Sequence, residues 1–301
     1  MPGGERSLKE EKKMRDYVIY TDSGCDVTPD ILAEWGVRVK PLTFRFDGDD
    51  REYVDGAVPF REFYDRMRSG EVAKTAAVNV EAFTEAFEEV LKEGYDLLYI
   101  GFSSGLSTTY NSGRIAAEQL REKYPEAKIL TVDSLAASTG FGLLLYLTVE
   151  KKKEGATIEE AAQFAEDTKL HICHWFTVDD LVYLKRGGRI SAASAFFGNA
   201  LGIKPVLHVD NDGHLINISK VRGRRSSLSA IADKYGELAL DPEGGTVMIC
   251  NGDCQKDVDE LSDMLEKRFG AKIKLVQYTG TVIGAHSGPG TLALFFVGRE
   301  R

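Results

Sequence analysis

The feature that most constrains this chain is the alternation, through its first half, of short apolar runs with stretches of helical periodicity. Tyr17 to Tyr20, Leu97 to Ile100 and Ile129 to Val132 read as strands. Helical patterns at Pro29 to Trp35, Arg61 to Ser69, Val80 to Glu93 and Ala136 to Glu154 are interleaved with them, and Val37 to Phe46 reads as a further extended run. Strands separated by helices need crossover connections, so they assemble as a parallel sheet with helices on both faces. Ligands in such sheets sit beyond the carboxyl ends of the strands. Three loops fall there: Thr21-Asp22-Ser23, Ser103 to Thr109, and Asp133-Ser134.

From Gly155 the pattern changes. Ile158 to Leu170 reads as an amphipathic helix, and His174 to Val178, Val206 to Val209 and Leu215 to Val221 as strands, the last two joined by a hairpin turn at Asn211-Asp212-Gly213. Val247 to Asn251, Ile273 to Tyr278 and Ala293 to Phe296 complete a mixed sheet, with helices at Ser226 to Leu238 and Lys256 to Phe269. A chain of 301 residues is long for one core. The fold class predicted is therefore α/β with two domains: an N-terminal parallel-sheet domain over residues 17–170 and a C-terminal mixed-sheet domain over 171–301. Residues 1–16, rich in Lys, Glu and Arg, read as a disordered tail.

The longest apolar run, Phe141 to Val149, is too short to span a bilayer, and the first 16 residues contain no apolar signal core, so a cytoplasmic location without stable membrane insertion is expected. A formal charge of −9 argues against nucleic acid as a partner. The one dense basic cluster, Lys220 to Arg225, reads as a solvated strand end. Four scattered cysteines fit reduced thiols rather than a disulfide scaffold. His171, Cys173 and His174 lack further ligands for a metal site, and neither metal nor cofactor is expected.

The loop Gly101-Phe102-Ser103-Ser104-Gly105-Leu106-Ser107-Thr108-Thr109-Tyr110 joins a strand to a helix and is dense in hydroxyls. Free N–H groups at the helix start and several Ser/Thr donors suit a carboxylate or phosphate. The same letters satisfy G-x-S-x-G, which makes Ser103 a candidate nucleophile, with His286 as base and Asp133 or Asp253 as orienter. A serine hydrolase and a binder of some other small carboxylate or phosphate are thus alternative readings.

Taken together, several motifs resemble the DegV family of bacterial fatty-acid-binding proteins, which includes the acid-presenting subunit of two-component fatty acid kinase. They are Thr21-Asp22-Ser23, Tyr53-Val54-Asp55-Gly56, Lys74-Thr75, Ser103 through Ser112, Asp133-Ser134, Tyr183 through Ser191, Gly202-Ile203-Lys204-Pro205-Val206 and Ile283 through Gly290. The resemblance implies a long-chain fatty acid held in a tunnel between two α/β domains, with its carboxylate anchored by hydroxyls near the interface. On these positions it implies ligand contacts from Thr75, Ser103, Ser104, Gly105, Ser107, His286, Ser23 and Ser134.

At about 0.8 kcal/mol per buried CH₂, a chain of roughly fourteen methylenes contributes on the order of 10 kcal/mol before entropy, so the head group orients more than it binds. Phe141 to Leu147 and Ala195 to Leu201 are candidate tunnel walls, with ordinary core as the competing reading. The chain has no G-x-x-x-x-G-K-S/T, so the resemblance implies a carrier, not an enzyme, whose acyl carboxylate is phosphorylated by a separate ATP-dependent kinase. Arg186 and Arg189 are the residues assigned to that partner. Three departures from the family pattern bear on ligand and partner choice: Thr75-Ala76-Ala77-Val78-Asn79 in place of Thr-Ser-Gln-Pro-Ser, Thr108 in place of Gly, and Asn251 in place of His.

Overall fold

The computed structural model of the chain describes residues 15–191 and 202–301. In chain order its strands are β1 (Tyr17–Asp22), β2 (Val37–Lys40), β3 (Thr43–Phe46), β4 (Tyr53–Val54), β5 (Ala73–Ala76), β6 (Asp96–Gly101) and β7 (Ile129–Asp133). These are followed by β8 (Ile172–Thr177), β9 (Ile203–Val209), β10 (Leu215–Arg222), β11 (Val247–Asn251), β12 (Ile273–Tyr278) and β13 (Leu292–Val297). The helices are α1 (Pro29–Glu34), α2 (Phe60–Arg68), α3 (Val80–Lys92), α4 (Thr109–Lys123) and α5 (Ser138–Lys153). Then come α6 (Ile158–Thr168), α7 (Val182–Arg186), α8 (Arg224–Leu238), α9 (Gln255–Phe269) and α10 (Thr281–Ser287).

The first sheet is four-stranded in the order β2-β1-β6-β7, with every pair parallel. Its central strands β1 and β6 are buried at every residue, which is why their sequences run apolar without alternation. The chain leaves β1 toward β2 on one side and returns through β6 on the other, so the loops after β1 and β6 flank the crevice where such sheets hold ligands. Asp22 ties those loops together. It accepts hydrogen bonds from Phe102 N at 2.9 Å, Tyr99 Oη at 3.0 Å and Gly24 N at 3.0 Å. Burial raises this carboxyl to about 6.

Val37 to Phe46 is not one strand. Pro41, which has no N–H to donate, separates β2 from β3, and β3 pairs antiparallel with β4 and β5 in a separate three-stranded sheet. At two and four residues, β4 and β5 are too short to carry a readable pattern. Phe44 packs edge-on against Phe63 of α2 with centroids 5.3 Å apart, anchoring this small sheet.

The six-stranded sheet has the order β10-β9-β8-β13-β11-β12 and is antiparallel except at β11–β12. Leu228, Ile231 and Tyr235 of α8 and Leu261 and Leu265 of α9 cover one face. The other face meets α5, which contacts β8, β11 and β13. Phe141, Leu143, Leu144 and Leu145 of α5 belong to one core that also holds Ile19 and Leu98 from the parallel sheet and Met248 and Phe295 from the mixed sheet. A helix lodged between two sheets must be apolar all round, which accounts for the uninterrupted run in its sequence.

The Gly/Pro-rich segment carrying His286 reads as a turn, yet Thr281–Ser287 is helix α10. Its N-terminus is capped from a distance: Asp55 Oδ1 accepts from Thr281 Oγ1 at 2.7 Å and from Val282 N at 3.2 Å. No local pattern announces a cap 226 residues away. α10 packs back onto α2, β3 and β5, so a late segment completes the earlier half, and it also meets α7. Of the tail over 1–16, only Arg15 and Asp16 are described; Arg15 pairs with Asp96 at 3.4 Å. Ala195 to Leu201 lies outside the described residues. No helix among the described residues is long and apolar enough to cross a membrane.

Candidate functional site

A cavity of about 380 Å³ lies between the parallel and the mixed sheets. Its floor is the α5-facing side of the mixed sheet. Cys250, Ala293 and Phe176 are paired in register across β11, β13 and β8, and Phe295 and His174 are paired two residues further along. Directly paired residues, and residues two apart on one strand, share a face, so these five side chains form a single surface. All five line the cavity. The His174 ring stands edge-on to Phe295 with centroids 5.3 Å apart, and its Nδ1 donates to Ile172 O at 2.9 Å. Burial holds that imidazole neutral. Phe102, Leu106, Ala137 and Val282 line other parts of the wall.

Polar groups gather where the lining is least buried, at Thr75, Ser104, Ser107, Thr108, Arg189 and His286. Thr75, on β5, lies 2.8 Å from His286 Nε2 through its Oγ1, and either partner can donate, according to the imidazole tautomer. Burial, and secondarily the charge of Arg189, pulls the His286 pKa down to about 4. The imidazole is therefore uncharged at neutral pH. Arg189 donates from Nε to Leu106 O at 3.2 Å and has no carboxylate partner among the described residues. Burial lowers its pKa, yet a guanidinium stays charged. A half-buried cation beside hydroxyls and a neutral imidazole has the chemistry to pair with one anionic oxygen group.

A model of the family described as "Uncharacterised protein, DegV family" matches residues 16–299. The chain belongs to the DegV family. A DegV domain-containing protein of Clostridium perfringens is 41% identical over 286 residues, covering 95% of this chain and 98% of the relative. A DegV lipid-binding protein from Thermotoga maritima superposes with a TM-score of 0.81 at 31% identity, over 95% of this chain and 99% of that one. A DegV family protein from Thermus thermophilus, solved as a study of fatty acid binding, gives a TM-score of 0.84 at 28% identity, over 95% and 100% of the two chains.

On this DegV framework the residues singled out in the sequence separate into two groups. Thr75, Ser104, Ser107, Arg189 and His286 converge on the cavity. The rest do not line it. Ser103 is fully buried; its hydroxyl donates to Gly213 O at 2.9 Å and accepts from Gly105 N at 3.2 Å. Gly105 lies so close to the hairpin tip that a β-carbon on it would stand 2.7 Å from Asp212 O. These two residues dock the β9–β10 hairpin. Ser23 Oγ accepts from Leu42 N at 3.0 Å, and Ser134 Oγ accepts from Ala136 N at 3.2 Å inside its own loop. Ser107 Oγ accepts from Thr109 N at 3.2 Å, so this cavity residue also secures the start of α4.

Arg186 is exposed, its guanidinium 5.7 Å from the Tyr183 ring centroid, whereas Arg189 faces inward. Phe141 and Leu143 to Leu145 lie in the shared core and do not line the cavity. The hydrolase arrangement is not assembled. Ser103 Oγ is engaged by Gly213 and His286 Nε2 by Thr75, Ser103 lacks the positive φ of a nucleophile elbow, and α4 begins only at Thr109. Sequence reasoning missed the floor residues Cys250, Ala293 and Phe295, whose common face follows from strand register.

Proposed function

We propose that this protein binds a long-chain fatty acid, its acyl chain over the apolar floor and its carboxylate at Thr75, Ser104, Ser107, Arg189 and His286. The observation that carries this reading is Arg189, which has no carboxylate partner among the described residues, beside the Thr75–His286 pair at the least buried end of a mostly apolar cavity. The fatty-acid-binding and lipid-binding relatives support it. Ser103 and Gly105 act as positioning residues, holding the hairpin against the hydroxyl loop.

The carrier works in the cytoplasm without a nucleotide site of its own and offers its bound carboxylate to a separate ATP-dependent kinase, which forms the acyl phosphate. Arg186, exposed on the α7 segment that also brings Arg189 to the cavity, contacts that partner. In this reading residues 17–170 and 171–301 are the two domains that enclose the ligand.

Mass spectrometry of the organic extract from purified, unsupplemented protein tests the proposal. A stoichiometric fatty acid is expected. An empty extract, together with no uptake of added fatty acid, overturns it. For the second step, ATP and a candidate kinase should turn the bound acid into a hydroxylamine-sensitive acyl phosphate only when the carrier is present.

A further inference from the structure

Strand β13 gives the cavity floor a direction. α10 ends at His286 and Ser287, and the turn that follows is closed by Thr291 Oγ1 donating to Gly288 O at 2.8 Å. β13 starts immediately afterwards, and Thr291, Ala293 and Phe295 alternate onto the cavity side. Successive floor positions are about 7 Å apart, so the strand leads from the His286 end past Ala293 to Phe295. At Phe295 the floor rises, because its ring and the edge-on imidazole of His174 stand side by side.

Ala293 has the smallest side chain among the five floor residues, and in register it lies between Cys250 and Phe176. It forms a trough between the polar end and the Phe295–His174 wall. Of its two cross-strand neighbours Cys250 is small and Phe176 large, and Cys250 Sγ lies 3.1 Å from Ser138 Oγ and 3.2 Å from Thr279 Oγ1.

We infer that Ala293 is the specificity-determining residue for acyl chain length: its missing side-chain volume is the space through which the chain passes toward Phe295. The inference rests on the fatty-acid reading above. A larger residue at 293 stops the chain in the trough, and the methylenes beyond it stay outside the floor. A smaller one widens the trough and admits a longer chain.

The test is competitive loading of full-length wild type, Ala293→Leu and Ala293→Gly with an equimolar series of saturated acids from decanoate to arachidate, read by mass spectrometry of the washed protein. In Ala293→Leu the preferred acid shortens by two or more carbons. Its affinity for the wild type's preferred acid falls roughly fifty-fold, equivalent to about three methylenes left unburied. Decanoate loses less affinity than the wild type's preferred acid does, because fewer of its methylenes reach the block. Ala293→Gly shifts the profile to longer acids. A loaded wild type with unchanged profiles in both variants overturns the assignment of Ala293 alone, whereas a wild type that takes up no acid overturns the fatty-acid reading itself. If Ala293→Leu does not melt cooperatively, Ala293→Val replaces it, and the same opposite shifts in the Val and Gly variants decide.

Discussion

A β-carbon on Gly187 would stand 2.2 Å from His286 Nδ1, so the imidazole reaches Thr75 only because position 187 has no side chain. Gly187→Ala is expected to displace the ring and lower fatty-acid affinity by roughly tenfold, about the worth of one hydrogen bond, without changing the circular dichroism. Wild-type affinity by calorimetric titration would show that the ring is not held by this approach. Ser103→Ala provides the contrast: affinity within about twofold, and stability lower by about 1 kcal/mol from the lost bond to Gly213.

His286 also sets a pH dependence. Its pKa is about 4 in the folded chain and near 6.5 in the unfolded one, so between those values the unfolded state binds more protons. This contribution to stability is complete above about pH 6.5 and disappears as pH falls through 4, reaching no more than about 3 kcal/mol. In His286→Gln the denaturation midpoint should change less with pH across that window. A slope equal to wild type would place the titration elsewhere.

At the scale of elements, α10 is the piece that no local signal announces. Its apolar side joins the core of the first half through Val282 and Ala285, and its N-terminus is held by Asp55. Asp55→Ala is expected to cost about 1–2 kcal/mol and to speed amide hydrogen exchange in α10 specifically. Asp55→Asn, which keeps an acceptor oxygen, should cost less. Because α10 carries His286, the Ala variant should also weaken ligand binding; unchanged exchange in α10 would count against the capping role.

For the whole molecule, α5 decides how the chain unfolds. Its residues share a single core with strands of both larger sheets, so the two halves are expected to melt in one calorimetric transition despite their separate sheets. Leu144→Ala should remove about 2–5 kcal/mol and lower that one midpoint. Two resolved transitions would show that the halves are energetically independent. Fatty acid at a hundred times its Kd should add about 2.7 kcal/mol and raise Tm, since the cavity draws its walls from both halves.

The parallel sheet, the long helices, the hairpin at Asn211-Asp212-Gly213 and most of the mixed sheet were legible in the sequence, because each depends on periodicity and turn chemistry within a short window. The run from Val37 to Phe46 was legible as extended chain but not as two strands in different sheets, since pairing partners lie far along the chain. Among the hydroxyls, residue type alone did not separate Ser104 and Ser107, which line the cavity, from Ser103, which holds Gly213. Nor did it turn Arg189 inward while leaving Arg186 in solvent. Sequence by itself determined which elements form and which chemistry is present. Tertiary structure alone decided which side chains meet, because strand register, the distant cap on α10 and the convergence of β5, α10 and the Arg189 segment depend on contacts between residues widely separated along the chain.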